Sequence, residues 1–546
     1  MICLLHGYLL DGSGSNLWTR SVLRAMCRAG EDVHLMCQEA HPERYDFIAE
    51  AHTYDAGGGR TTQLSRDVPY PGRCTMHVPA LGDTLPVYVW DEYEQFAHVV
   101  PMTELDDVQL EEYLHRNVTV LLRLIREHGI TVLHANHAVL MSVVAERASA
   151  WTGVPYAVMP HGSAFEYAVR PDARFRTLAA HAFDRATRLF VISDDVAARV
   201  ESLLGDDVAA LGQKMTRLDL GVDTAEFVPI DAASRAGNAA RVKTLLADVP
   251  RGRTAAQAAA LVSALDAGAD VATACAAVGD FVAKNPDADL ETKLDSVDWA
   301  TAQPLAFVGR LIPAKGIHAL IGALPLVLPH APRLRLIVAG HGPLRNPLEA
   351  LLYALQRGDR TLAEQALAHA EATDVGEPEH LNALRILWDQ LDARRRRAEY
   401  WDAARRHIQP DTVLFTGCLH HREMSLLLPC CDVAVFPSMV AEAGPLVFLE
   451  ALASGVFPIG TYFGGMQVKI DRVAEEVPPD AAAAMKVRRD AAHIVGDIAA
   501  AIPAALRHAP QHRHTLRRLA EDHYDWQPIG RRLARLLQEL SDAPPA

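Results

Sequence analysis

Long apolar runs are missing from this chain: no uninterrupted hydrophobic stretch approaches the roughly 18 residues that suggest a membrane-spanning helix. Paired cysteines are missing as well. Cys3, Cys27, Cys37, Cys74, Cys275, Cys418, Cys430 and Cys431 are scattered, and none belongs to a Cys-x-x-Cys pair. Neither a disulfide framework nor a metal-ligand spacing follows from them. The start, Met1-Ile2-Cys3-Leu4-Leu5, lacks a basic lead, so it reads as a first strand and not as a signal peptide. Positive charge is scarce: 53 Lys and Arg stand against 68 Asp and Glu, a net charge of −15. That balance argues against general nucleic-acid binding. What is present is an ordinary globular mixture, 546 residues with 50% hydrophobic and 22% charged. It excludes wholesale disorder, collagen-like repeats and coiled coil, and predicts about two to four domains. The expectation is a soluble, cytoplasmic, multidomain protein in a reducing compartment.

Short apolar runs alternate with longer amphipathic ones through the first 228 residues. Strands are expected at Met1–His6, Asp32–Cys37, Thr131–His134, Tyr156–Met159 and Leu189–Ile192. Helical spacing fills Leu17–Ala29, Leu110–His128 and Ala138–Trp151. The stretch Glu39–Glu104, rich in turn residues and carrying Tyr88, Trp90, Tyr93 and Phe96, reads as a hairpin or long excursion. A second series holds strands at Leu305–Val308, Leu334–Ala339, Val413–Phe415, Val433–Phe436 and Val456–Ile459, with helices Ile317–Leu328 and Leu446–Ser454. Such alternation predicts parallel sheets covered by helices. The class is therefore α/β: two Rossmann-like, doubly wound domains facing a cleft, 1–228 and 229–524, followed by a C-terminal helix at 525–546 that packs back on the first. Two Ala-, Leu-, Arg- and Glu-rich helical insertions, near 231–301 and 346–411, interrupt the second domain and read as solvated hairpins. In such sheets ligands bind beyond the carboxyl ends of the strands, where the strand order reverses.

Two stretches carry chemistry. In Gly309-Arg310-Leu311-Ile312-Pro313-Ala314-Lys315-Gly316 a buried strand runs into a glycine turn that presents two cations before a new helix. Cations beside a helix N-terminus form a diphosphate clamp; two surface cations flanking a loop are the bland alternative. The second stretch follows strand Val433–Phe436 and runs from Glu442 through Gly444-Pro445-Leu446 to Glu450. The helix entry at Gly444-Pro445 offers free amides to an anion. Two carboxylates beside a diphosphate would repel it unless they accept hydrogen bonds from hydroxyls, and sugars supply those.

With seven residues between Glu442 and Glu450, the chain resembles the retaining group-1 glycosyltransferases of the GT-B fold. The resemblance extends to Gly309-Arg310 with Lys315-Gly316, to Gly340-His341-Gly342-Pro343, and to Pro160-His161-Gly162-Ser163. It also takes in Gly221-Val222-Asp223 with Phe227, and Tyr524-Asp525-Trp526. It covers most of the chain outside the insertions and Glu39–Glu104. Alanine follows Glu442, Gly444-Pro445 replaces an aromatic followed by glycine, and Leu220 stands where asparagine is frequent; these departures bear on donor preference.

The resemblance implies transfer of a sugar from a nucleoside diphosphate donor to an acceptor hydroxyl, with retention at the anomeric carbon. Arg310 and Lys315 would neutralise the diphosphate, Glu442 would hold hydroxyls of the transferred sugar, and Glu450 the ribose. His161 would face the sugar. Gly309, Gly340, Gly342, Gly444, Pro445 and Leu446 would line the donor, with Gly12 and Gly14 of the N-terminal loop close to the diphosphate or the acceptor. Family members need no metal, so no cofactor or metal is expected. The acceptor, a glycan, a lipid or a small molecule, is not named by the sequence.

Rival readings are weaker. Gly12-Ser13-Gly14 lacks the third glycine of a dinucleotide fingerprint. His134 and His137 have an asparagine between them and no carboxylate nearby, which disfavours a metal site. Arg394-Arg395-Arg396-Arg397 with Arg405-Arg406-His407 would suit a peripheral membrane or protein contact, but a helix face answered by neighbouring acids is the plainer reading. A nucleotide-sugar epimerase or hydrolase, or a silent sugar-nucleotide scaffold, would use the same scaffold.

Overall fold

The alternation of buried strands and amphipathic helices is realised, in a computed structural model of the chain, as two parallel sheets. All residues are described except 58, 89–95, 248, 280–283, 374–377, 443 and 543–546. Trp90 and Tyr93 lie outside the described residues. Two compact units divide the chain: Met1–Gly221 with Tyr524–Ala546, and Val222–His523.

Among the described residues, eleven strands belong to the first unit: β1 (Ile2–Leu5), β2 (Val33–Met36), β3 (Ile48–Tyr54), β4 (Arg60–Ser65), β5 (Cys74–Pro79), β6 (Thr84–Val87), β7 (His98–Pro101), β8 (Val132–Asn136), β9 (Tyr156–Met159), β10 (Arg188–Val191) and β11 (Met215–Arg217). Nine form one sheet in the order β11-β10-β9-β8-β1-β2-β5-β3-β4, and β6 pairs with β7 apart from it. Every pairing in the large sheet is parallel except β3 with β4. The order reverses between β8 and β1. Glu39–Glu104 is thus more than an excursion: β3, β4 and β5 extend the main sheet. Their polar, alternating residues (His52, Thr53, Thr61, Thr62, Gln63) gave no apolar-run signal, because β4 is an exposed edge strand.

The C-terminal helix Trp526–Asp542 buries Trp526, Ile529, Leu533, Leu537 and Leu540. It packs on helix Gly14–Arg28, where a Cβ on Gly530 would lie 2.7 Å from Ala25 Cβ. Gly221 lies flat against the Trp526 indole, so closely that a Cβ there would come within 2.5 Å of the ring. The two sequence motifs containing Gly221 and Trp526 are therefore one packing contact.

In the second unit β12 (Gln303–Val308), β13 (Leu334–Ala339), β14 (Val413–Gly417), β15 (Val433–Phe436), β16 (Phe457–Thr461) and β17 (Lys486–Val487) form an all-parallel sheet ordered β14-β13-β12-β15-β16-β17. This is the doubly wound order, with its switch point between β12 and β15. Strands buried on both faces need continuous apolar sequence, which Leu305-Ala306-Phe307 and Val433-Ala434-Val435-Phe436 supply. Val222–Phe227, placed with the first domain on sequence grounds, is fastened to the second unit instead: Arg517 donates to Thr224 O at 2.7 Å and to Phe227 O at 2.5 Å.

The insertions are helical but are not solvated hairpins. Helices Arg235–Leu245, Ala255–Asp266, Val271–Val278 and Leu290–Asp295 make up the first, and Arg345–Arg357, Arg360–Thr373, Asn382–Ala393 and Arg397–His407 the second. They are joined by a buried ion network: Asp287 pairs with Arg345 at 2.6 Å and Lys293 at 2.7 Å, and Arg253 reaches Glu349 at 2.6 Å. The second insertion also sits on helix Ile317–Val327. Tyr400 donates to Gly322 O at 2.9 Å, and a Cβ on Gly322 would collide with Leu384 at 2.0 Å. The arginine run is answered by acids, with Arg396 on Glu399 and Arg405 on Asp402, both at 2.8 Å. Among the described residues, no helix is long and apolar enough to cross a membrane.

Candidate active site

The switch point of the second sheet brings the two charged stretches together. The loop leaving β12 carries Arg310 and Lys315, and the loop leaving β15 carries Ser438 and Glu442. The loops are fastened by backbone: Met439 N donates to Ala314 O at 2.8 Å, and Ser438 Oγ lies 3.3 Å from the same carbonyl. Gly316 makes this approach feasible. It has φ +68°, and a Cβ there would lie 2.0 Å from Pro437 O, a conformation and a clearance that only glycine accepts.

On this frame Lys315 Nζ forms an ion pair with Glu442 Oε1. Ser438 Oγ donates to the same oxygen at 2.7 Å, and Thr461 Oγ1 secures Ser438 O at 2.7 Å. Burial pushes the Glu442 carboxyl up, but the Lys315 ammonium and the two hydrogen bonds outweigh it, so the group sits below the usual carboxylate range. Arg310 is exposed and makes no hydrogen bond or ion pair to a described residue, which leaves its guanidinium available. Beyond Glu442, helix Leu446–Ala453 starts after Pro445 with no side-chain cap. Its first amides and macrodipole favour an anion.

Glu450 is buried in that helix. It faces His421 Nδ1 at 3.5 Å, while His421 Nε2 faces Glu226 Oε2 at 3.1 Å. The edge of Phe227 closes over the imidazole at 4.7 Å between centroids. His421 is thus held between two carboxylates. Nothing in the sequence singled out Ser438, His421 or Glu226, because they reach the site from separate segments and belong to no spaced motif.

Gly340 and Gly342 serve the protein backbone. A Cβ at Gly340 would lie 1.9 Å from Gly309 O, and one at Gly342 2.6 Å from Leu311 O. Leu311 N donates to His341 O at 2.8 Å. These glycines let the loops after β12 and β13 pack together. An Asp-x-Asp sequence, Asp287-Ala288-Asp289, lies in the first insertion and is engaged by Lys293, which lies 2.7 Å from each carboxylate.

In the first unit the switch point between β1 and β8 gathers histidines. His161 follows β9, and its Nε2 donates to Asn136 Oδ1 at 3.3 Å. Asn136 Nδ2 in turn reaches Thr19 Oγ1 at 2.8 Å and His6 Nδ1 at 3.3 Å. His6 Nε2 lies 3.1 Å from Asn16 Oδ1. The His137 ring is 4.8 Å from that of His161, and its backbone has φ +73°. Burial brings His161 down to about 3 and His6 to about 4, so both rings are neutral at pH 7. Asn136, the residue between His134 and His137, is the hub. Gly12, at φ +103°, turns the loop after β1, and Gly14 opens helix Gly14–Arg28 behind Ser13, which caps Asn16 N.

A doubly wound sheet with cations and a carboxylate at its switch point defines a class of α/β proteins that hold phosphorylated ligands. Comparison with known proteins narrows the class. Residues 13–210 match the glycosyl transferase 4-like domain, and residues 395–474 match glycosyl transferases group 1. The first match includes Gly14 and His161, and the second Glu442 and Glu450; Arg310 and Lys315 lie outside both. No curated protein sequence matches the chain. Among solved structures, sucrose-phosphate synthase from Thermosynechococcus elongatus is similar with a TM-score of 0.53 at 15% identity, covering 99% of this chain and 98% of that one. The catalytic domain of starch synthase IV from Arabidopsis thaliana, bound to ADP and acarbose, gives 0.52 at 11% identity, covering 99% of each. HepE from Anabaena, in complex with UDP and glucose, gives 0.51 at 13% identity over 98% and 99%. These likenesses give the fold, GT-B. The two family matches, one in each unit, together with this fold support a group-1 glycosyltransferase.

Proposed function

We propose that the protein transfers a sugar from a nucleoside diphosphate donor to an acceptor hydroxyl with retention and without a metal ion. The observation that carries this reading is the Lys315–Glu442 pair at the switch point, beside the free Arg310 and an uncapped helix N-terminus. Arg310 and Lys315 neutralise the diphosphate as its negative charge grows. Such stabilisation of developing charge is usually the largest catalytic contribution. The helix amides at Leu446 and Val447 hold a phosphate oxygen. Glu442, kept ionised by Lys315 and Ser438, accepts hydrogen bonds from hydroxyls of the transferred sugar. Glu450 accepts from the ribose, and His421 fixes the orientation of its carboxylate. At the first unit's own switch point His161, as a neutral imidazole donating to Asn136, keeps Nδ1 as an acceptor for a ligand hydroxyl.

In the step itself, the bond between the anomeric carbon and the diphosphate oxygen breaks while the acceptor oxygen bonds to the same face. The acceptor proton passes to the departing diphosphate. ADP and UDP in the structures of similarly folded enzymes make adenine and uracil donors the first to try. The test is a thermal-shift panel of UDP-, ADP- and GDP-sugars, followed by transfer assays with candidate acceptors and NMR of the product's anomeric configuration. Donor consumption with no acceptor present would point to a hydrolase or epimerase. Binding of a donor that no acceptor ever consumes would point to a silent scaffold. An inverted product would end the retaining assignment.

A further inference from the structure

A second cluster of histidines lies in the first unit, away from the switch point. His34 is on β2, His77 on β5, and His128 in the last turn of helix Asp107–His128. The register pairs His34 with Thr75 and Met36 with His77, so His34 and His77 share one face of the sheet. That face is covered by the helix end: the His34 and His128 rings are 4.5 Å apart, and those of His77 and His128 5.4 Å. One ring nitrogen from each of the three lies within 4.8 Å of the others. His34 Nδ1 and His77 Nε2 face each other at 2.9 Å, and His128 Nε2 is buried with no partner among the described residues.

Geometry and chemistry both suit a metal. Three imidazole nitrogens converging from one side leave a fourth tetrahedral position for water. His77 Nδ1 lies 2.9 Å from the Tyr54 hydroxyl. The Tyr54 hydroxyl can accept from Nδ1–H, which turns the His77 Nε2 lone pair to the cluster, the arrangement that outer hydrogen bonds impose on metal-bound histidines. His52 stands behind His77 at 5.7 Å between rings, with Nε2 3.4 Å from Glu50.

We infer that His34, His77 and His128 form a zinc site that pins helix Asp107–His128 to β2 and β5. The helix end lies at the amino ends of the parallel strands, whereas the proposed chemistry belongs to their carboxyl ends. The ion is structural, and sugar transfer does not run through it.

Chelator-treated full-length protein titrated with Zn²⁺ in a calorimeter should bind one equivalent and unfold at a higher temperature. Co²⁺ in its place should give the intense visible absorption of a tetrahedral site. His128→Ala, a change at the half-buried edge, should weaken binding at least about 100-fold, beyond the 10–100-fold typical of losing an outer partner, and abolish the cobalt band. Equal affinity and stoichiometry in wild type and variant would overturn the inference, as would a weak octahedral cobalt spectrum in the wild type. The cobalt spectrum of the wild type decides the matter even if the variant fails to fold. None of these readouts depends on sugar transfer, so they stand or fall apart from the proposed activity.

Discussion

Lys315→Met, Glu442→Gln and the double variant separate what the ion pair does for folding from what it does for chemistry. In the wild type the Glu442 side chain is 18% exposed and that of Lys315 30%. Breaking a fully buried pair by removing one partner costs about 3–5 kcal/mol, whereas exposed pairs contribute about 1 kcal/mol or less. At this intermediate exposure Lys315→Met should cost about 1–3 kcal/mol, because Glu442 keeps only Ser438 as a partner. With the ammonium gone, burial acts on Glu442 opposed by one hydroxyl, and its carboxyl moves up. Glu442→Gln added to Lys315→Met removes the orphaned charge, and the amide oxygen still accepts from Ser438. The double variant should therefore regain most of the lost stability, a coupling of about 1–2 kcal/mol. Turnover should behave oppositely. Losing one preorganised group that stabilises developing charge costs about 10²–10³-fold in kcat, and the double variant should be no faster than either single one. Urea midpoints and product formation, measured on the same four proteins, give both halves. Double-variant turnover within about threefold of wild type would mean that the pair only holds two loops together, and the assignment of Lys315 to the diphosphate would fall.

Three further outcomes follow from the same structure. His421→Ala frees Glu450 from its imidazole, so KM for the donor should rise while kcat changes less; an unchanged KM would remove His421 from the donor site. Arg345→Met leaves the buried Asp287 and the half-buried Glu349 with a cation missing. It should lower the second unit's unfolding midpoint by the equivalent of about 3 kcal/mol or more, and Asp287→Asn added to it should restore part of the loss. Stability should also depend on pH through His6 and His161. Their folded pKa values, about 4 and about 3, lie below the unfolded value of about 6.5. The unfolded chain therefore binds more protons below pH 6.5, and stability falls as pH drops from there toward the folded values, by up to about 1.4 kcal/mol per pH unit for each histidine. Above about pH 7.5, a unit beyond the unfolded value, this contribution is flat. His161→Asn should lessen the slope between about pH 6.5 and 4; an identical slope in variant and wild type would contradict the buried neutral ring.

How far the sequence could be read depended on what each part of the chain has for neighbours. Strands buried on both faces declare themselves by composition alone. Tyr156–Met159, Leu334–Ala339 and Val433–Phe436 are recovered at their observed ends, and the doubly wound class of the second sheet follows from the alternation. β4 is exposed along its length and β3 alternates, so neither produced an apolar run, and the sheet they extend was hidden. The approach of Lys315 to Glu442 was legible because their loops follow β12 and β15, and the doubly wound order sets those two strand ends side by side. Ser438, His421, Glu226 and Asn136 were not. Each owes its place to a tertiary contact: Ser438 to the carbonyl of Ala314, His421 to two carboxylates from distant segments, Asn136 to Thr19 and two histidines. The insertions failed for a related reason. Their arginines and aspartates, read singly, belong on a solvated surface, and only the fold reveals that Asp287 is 1% exposed and Arg345 4%, each the other's counter-charge. A charged residue's role is set by what its charge meets, and for these pairs the meeting spans 58 positions in the chain. The same holds at the candidate active site, where 127 positions separate Lys315 from Glu442. There, however, the strand order makes the meeting predictable, and in the insertions no such rule applies.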